Sequence, residues 1–193
     1  MGNISEYLKS CAKNVPGNKA TVYINQIRRA DSLTVTAGEV SALTVTATGA
    51  TGKFVKVQAD LDGVKFTNEG AGKTSYRETQ ALEMMFAKKS TTLVDLKADL
   101  ADSIPCGVMA IRVDGNGQAW LSGWNEATKD GKERPYNELA SNFDSGASPA
   151  DEDGNKLTLT LTRNAGYDEL PFNSLLNANI LAGSGTAANF IDF

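Results

Sequence analysis

The chain contains no histidine. Triads built on an imidazole base, imidazole acid–base chemistry and His-ligated metal centres are therefore excluded from the outset. It has two cysteines, Cys11 and Cys106, far apart and outside any Cys-x-x-Cys spacing. Neither a disulfide framework nor a zinc site is written in such a pair, and a reducing cytosol is the expected setting. A cysteine nucleophile would lack its usual base. Long apolar runs are missing too: "MGNISEYLKSCAKN" shows no apolar stretch after a basic start, so no secretory signal is expected. The opening Met1-Gly2 is followed by Glu6 where a myristoylation signal needs Ser or Thr. Asn3-Ile4-Ser5 spells a glycosylation sequon that has no meaning without secretion.

Positive charge is scarce as well. Lys and Arg total 19 against 23 Asp and Glu, a formal charge of -4, and no basic stripe runs through the chain. A protein whose main task is to grip nucleic acid needs clustered cations, so that class is disfavoured. An acidic surface would instead repel DNA.

A length of 193 residues predicts a single domain over 1–193, and 41% apolar with 22% charged residues is an ordinary globular balance. Within residues 1–20, Ile4, Leu8 and Cys11, with Tyr7 beside them, fall at helical spacing, predicting a short helix or an arm that orders on a partner. From Thr21 onward "TVYINQI", "LTVTA", "SALTVTAT" and "KFVKVQADL" alternate at period two and are rich in Val, Thr, Ile and Phe, which predicts strands. Asp62-Gly63 between "KFVKVQADL" and "VKFT" predicts a hairpin turn.

Ser75-x-x-Glu78 has the form of a capping box, and Leu82, Met85, Phe86 and Lys89 follow at i, i+3, i+4, i+7, predicting a helix of about a dozen residues. A second stripe of Leu93, Leu96, Leu100 and Ile104 stops at Pro105. "CGVMAIRVDGNGQAWLSGWN" predicts a hairpin, with Met109, Ile111 and Val113 on one face and a turn at Asp114–Gly117. Residues 126–155 form a long polar loop insertion, and "KLTLTLT" beyond it alternates three leucines with three threonines, the pattern of a half-buried strand. Residues 171–191 carry no charged side chain, and their scattered Asn and Gly exclude a membrane span. Strands, then a helix or two, then strands predict an α+β or mainly β fold: an antiparallel β-sandwich or β-barrel core with one or two flanking helices and long loops.

The stretch "FTNEGAGKTSYRE" tests for nucleotide chemistry. Gly72, Lys73 and Thr74 match the end of a phosphate-binding loop, but Thr67 stands where its first glycine belongs, and the preceding strand alternates where a buried parallel strand would be continuously apolar. Asp114 at the end of "AIRVD" could pass for the partner acidic motif, yet Arg112 interrupts it. Asp151, Glu152 and Asp153 are adjacent carboxylates in a soft loop, without the ligand spacing of a calcium site. Trp120, Trp124 and Tyr136 are aromatic enough for a sugar or base platform but read more simply as anchors of a core edge. No catalytic residue, cofactor or metal site is expected, and an enzyme is not expected.

The hairpin returning through Trp120, the long polar loop with its Ser-Gly and Asp-x-x-Gly turns, the "KLTLTLT" strand and the following "GYDELPF" together resemble the tail tube (major tail) proteins of tailed bacteriophages. Similar arrangements occur in the inner tubes of contractile systems. The resemblance covers roughly half the chain, from about Leu93 to Ile191, in pattern more than in fixed motifs. It implies a virion structural protein, made in the host bacterial cytoplasm, whose copies close into hexameric rings and stack into a tube carrying double-stranded DNA as transient cargo. Its further partners would be other tail proteins such as the tape measure, terminator or sheath. Strands such as "KFVKVQADL" and "KLTLTLT" would join a sheet continuous around the ring, their exposed edges paired by neighbours. The loop with Gly70, Gly72 and Lys73 would meet the adjacent ring, and the C-terminal segment 171–193, uncharged as far as Ile191, would supply an interface of Leu175, Leu176, Phe190, Ile191 and Phe193, buried only when subunits meet. The alternatives are another phage structural subunit (capsid decoration, neck or tail completion) and a degenerate nucleotide- or glycan-binding module.

Overall fold

A computed structural model describes residues 17–27, 30–45, 54–71, 77–87, 90–123, 135–145, 156–165 and 168–182. Its centre is a five-stranded antiparallel sheet ordered β11-β8-β7-β1-β4, made of β1 (Asn18–Gln26), β4 (Val55–Gln58), β7 (Val108–Asp114), β8 (Ala119–Ser122) and β11 (Leu170–Pro171). Both faces of this sheet are buried. Tyr23, Met109, Ile111 and Val113 point into one apolar cluster, and Val22, Ile24, Val108 and Ala110 into another. Burial on both sides is why "VMAI" is apolar without interruption, and why the face expected from Met109, Ile111 and Val113 is only half of the strand's buried surface.

The first cluster is capped by the hairpin of β2 (Ala30–Thr36) and β3 (Glu39–Val45) and by helix α2 (Ser174–Ala182), through Leu33, Val40, Leu43, Leu176 and Ile180. Two-residue hairpin turns need positive φ, and Ala37 at 54° with Gly38 at 84° supplies it. The second cluster is covered by a four-stranded antiparallel sheet ordered β5-β6-β10-β9, made of β5 (Val64–Ala71), β6 (Arg77–Phe86), β9 (Glu138–Asp144) and β10 (Lys156–Ala165). The predicted mainly β sandwich with two flanking helices is therefore the observed architecture.

Helix α1 (Thr91–Ser103) carries the Leu93, Leu96 and Leu100 stripe, and a 3-10 turn over Ile104–Cys106 follows at Pro105. Ser90 caps it, its Oγ accepting from Leu93 N at 3.3 Å. The hairpin through Trp120 also forms as expected: Asp114 Oδ1 accepts from the backbone N of Asn116 and Gln118, each at 2.9 Å, and Oδ2 from Trp120 Nε1 at 3.0 Å. That carboxylate is spent on the turn. Leu157, Leu159 and Leu161 of β10 are buried as the alternation requires.

Four expectations are corrected. The helix over 75–89 is strand β6, whose alternate residues Glu78, Gln80, Leu82, Met84 and Phe86 all face inward; pairing with β5 on one side and β10 on the other outweighs the helix propensity of Ala, Leu, Glu and Met. Asp62-Gly63 makes a turn but no hairpin, because β4 pairs with β1 and β5 with β6, so the chain crosses there from one sheet to the other. Asp62 takes the positive φ of 61°, and a Cβ on Gly63 would sit 2.7 Å from Met85 O, where the turn docks on β6. The loop insertion contains β9, and Tyr136 within it is wholly buried. Finally, "KLTLTLT" has no exposed edge: β10 is enclosed by β6 and β9.

Candidate functional site

The inner face of the four-stranded sheet changes from apolar to polar along β6 and β10. Across the pair, Phe86, Met84 and Leu82 oppose Leu157, Leu159 and Leu161, and the next inward step opposes Gln80 to Arg163. Arg163 is 2% exposed and its Nε donates to Gln80 Oε1 at 2.7 Å. Gln80 Nε2 in turn donates to Glu78 Oε2 at 3.2 Å. Burial pulls the Arg163 guanidinium below its ordinary range, while the acids Glu169 and Glu78 hold its charge in place.

A second arginine ties the central sheet to Glu169, just before β11. Arg112 on β7 donates from Nε to both carboxylate oxygens of Glu169, at 3.1 and 3.0 Å, from Nη2 to Glu169 Oε2, and from Nη1 to Asn18 Oδ1 at 2.7 Å. Its guanidinium also lies over the ring of Phe66, 4.4 Å from the centroid, so the residue that breaks the apolar run of "AIRVD" joins β7, β1, β5 and the approach to β11. Burial pushes Glu169 above the usual carboxylate range, opposed by the Arg112 hydrogen bonds and charge. Tyr136 is raised chiefly by burial and then by the Glu169 charge, and its hydroxyl donates to Ser122 Oγ at 2.9 Å.

At the rim, Asn68 Nδ2 donates to Glu78 Oε2 at 2.9 Å and to Asp168 Oδ1 at 2.6 Å, drawing two carboxylates onto one amide. Asp168 is pushed up by partial desolvation and then by the Glu78 charge beside it. Each member of this network holds another in place, so it braces the β5–β6 hairpin against the central sheet. Nothing local in the sequence signals it: Glu78 fits the pattern of a capping box, and Arg112 interrupts an apolar run.

The opposite, outward face of this sheet meets no other described element. Register places Lys65, Glu83, Thr160 and Ala140 in one row and Thr67, Ala81, Thr162 and Glu138 in the next. Among the described side chains Glu69, Glu83, Glu138 and Asp144 outnumber Lys65 and Lys156 on this face. Both outer strands, β5 and β9, have a strand neighbour on one side only among the described residues, and β9 is exposed at Glu138, Ala140, Ser141 and Asn142. Among the described residues this sheet has two unpaired edges and an outward face that is mostly polar and acidic, with Met85 beside Thr158.

The residues expected at an assembly interface are distributed unevenly. Gly70 is exposed near the end of β5, while Gly72, Lys73, Phe190, Ile191 and Phe193 lie outside the described residues, as do the first 16 residues, Trp124 and Asp151 to Asp153. A strand, β6, follows the glycine-rich stretch where a phosphate loop would lead into a helix. Leu175 is 69% exposed. Leu176 is 5% exposed, inside the chain's own core with Phe172 and Ile180, and so does not wait for a neighbouring subunit. The uncharged composition of 171–182 also has an internal cause: Asn173 Oδ1 caps α2 by accepting from Leu176 N at 2.9 Å, and Asn177 accepts from Ala119 N at 2.7 Å and donates to Gly117 O at 2.9 Å. Those amides fasten the helix to the β7–β8 hairpin.

Among the described residues no group of three or more His, Cys, Asp or Glu is placed to hold a metal ion. Comparison with family models, curated proteins and solved structures finds no match.

Proposed function

We propose that this chain is a structural subunit of a bacteriophage tail tube, whose copies join side by side into rings that stack into a conduit for double-stranded DNA. The observation that carries the reading is the four-stranded sheet: among the described residues β5 and β9 are each paired on one side only and no element lies over its outward face. A strand edge left open is a template for another chain. Setting β5 of one copy against β9 of the next repeats one heterologous contact by rotation, which closes a ring, the hexamer of the resemblance. A mostly polar face with surplus Glu and Asp would line a passage without capturing phosphates, because counterion-release binding needs clustered Lys and Arg. The buried arginine network fits this role, since a ring requires the sheet edges to keep a fixed angle to the rest of each subunit.

The subunit's partners are then copies of itself, other tail proteins at the tube ends or surface, and DNA in transit, with the virion tail as its location. No helix of the described residues is long and apolar enough to cross a membrane. Negative-stain electron microscopy of the purified chain tests the proposal. Rings or tubes with a central channel are expected, and a closed trimer without end-to-end growth would point to a decoration subunit instead.

A further inference from the structure

The central sheet also ends in an open edge, and the structure places a groove beside it. β4 pairs with β1 alone among the described residues, and between it and α1 lies a cleft of about 350 Å³. Its floor is apolar: Val57 and Phe86 are buried and Leu93 and Leu96 half-buried. Val55, which lines the cleft, shares Val57's face of β4 and is 57% exposed. An aliphatic side chain left in water within an apolar cleft marks a surface that binds something.

Charge narrows the occupant. Asp95 and Asp99, one helical turn apart, line the α1 wall, whereas Lys97 on the same helix does not line it. Lys56, the only cation among the described residues that line the groove, belongs to the face of β4 opposite Val55 and Val57, across from Tyr23. The β5 and β9 edges of a second copy fit poorly, since they bring Glu69 or Glu138 and Asp144 against those aspartates, and pairing through a second copy's β4 is an outcome that the test separates. DNA is repelled for the same reason.

The geometry points to a docking site for an extended segment of a partner protein, apolar and basic in alternation, added as a strand beside β4. Its backbone would continue the sheet, alternate apolar side chains would fill the floor over Val57 and Leu96, and the intervening Lys or Arg would meet Asp95 and Asp99. This site is separate from the β5 and β9 edges and does not depend on ring formation.

The test uses the full chain with two fluorescein-labelled hexapeptides, Lys-Val-Lys-Val-Lys-Val and Glu-Val-Glu-Val-Glu-Val, followed by fluorescence anisotropy and amide chemical shifts. The basic peptide should bind at least ten-fold more tightly than the acidic one, with shifts confined to Val55–Gln58 and the groove side of α1. The double variant Asp95→Asn, Asp99→Asn should keep its melting temperature and lose at least five-fold in affinity. Equal binding by the variant, shifts scattered over other acidic surfaces, or the same β4 amides shifting with protein concentration in the absence of peptide would overturn the assignment.

Discussion

Two halves of one sheet face bury opposite chemistry. Towards one end of β6 and β10, Leu82, Met84 and Phe86 lie across from Leu161, Leu159 and Leu157; towards the other, Glu78 and Gln80 approach Arg163, Asn68 and Asp168. The apolar half gains from area removed from water, which is non-directional and forgiving of small shifts. The polar half holds only while each donor and acceptor is matched, because an unpaired buried charge costs several kcal/mol and leaves its partners unsatisfied. The same fold is thus held at one end by volume and at the other by geometry.

The sharpest way to break this contrast is Arg163→Met, which keeps bulk and removes the guanidinium. We expect a loss of about 4 kcal/mol in urea unfolding, since Gln80 loses its donor and Glu78 and Glu169 lose a nearby buried cation. A loss below about 1 kcal/mol would mean that the polar half is not coupled. Leu159→Ala at the other end leaves a cavity and should cost about 3 kcal/mol, without altering the pH dependence of stability. Tyr136→Phe removes only the hydroxyl bonded to Ser122 and should cost about 1 kcal/mol.

Asp168→Asn is expected to have the smallest effect, with the opposite sign. Because the folded state raises the Asp168 pKa, it binds more protons than the unfolded chain between the ordinary carboxylate range and the raised value, so wild-type stability falls as pH rises through that window. The amide variant escapes this loss and the repulsion from Glu78. It should be slightly more stable than wild type at pH 7 and indistinguishable below the ordinary carboxylate range, as thermal melts at the two pH values would read.

The same contrast explains what the sequence disclosed. β10 was legible because its inward leucines alternate with threonines, and α1 because its leucine stripe keeps helical spacing and stops at Pro105. β6 was misread because two of its inward positions are Glu78 and Gln80, which hide the period of two, while Leu82, Met85 and Phe86 happen to fit a helical face. Burial of those polar residues depends on Asn68 ten residues earlier and Arg163 more than eighty later, and no local pattern records such partners. Leu176 was misplaced for a related reason: an uncharged stretch reads as interface material, and here Phe172, Leu176 and Ile180 meet the protein's own hairpin while Leu175 faces outward. Open edges at β5 and β9 were likewise invisible, because strand order is a property of the whole sheet.

Sedimentation of the wild-type chain beside Ala140→Lys, Asn142→Lys tests assembly through those edges most directly. Both substitutions lie at exposed positions of β9, where added lysines guard an edge without entering the core. The expected result is a ring or tube mass for wild type and a monomer with an unchanged melting temperature for the variant. A wild-type chain that stays monomeric at high concentration, or a variant that assembles as well as wild type, would contradict it.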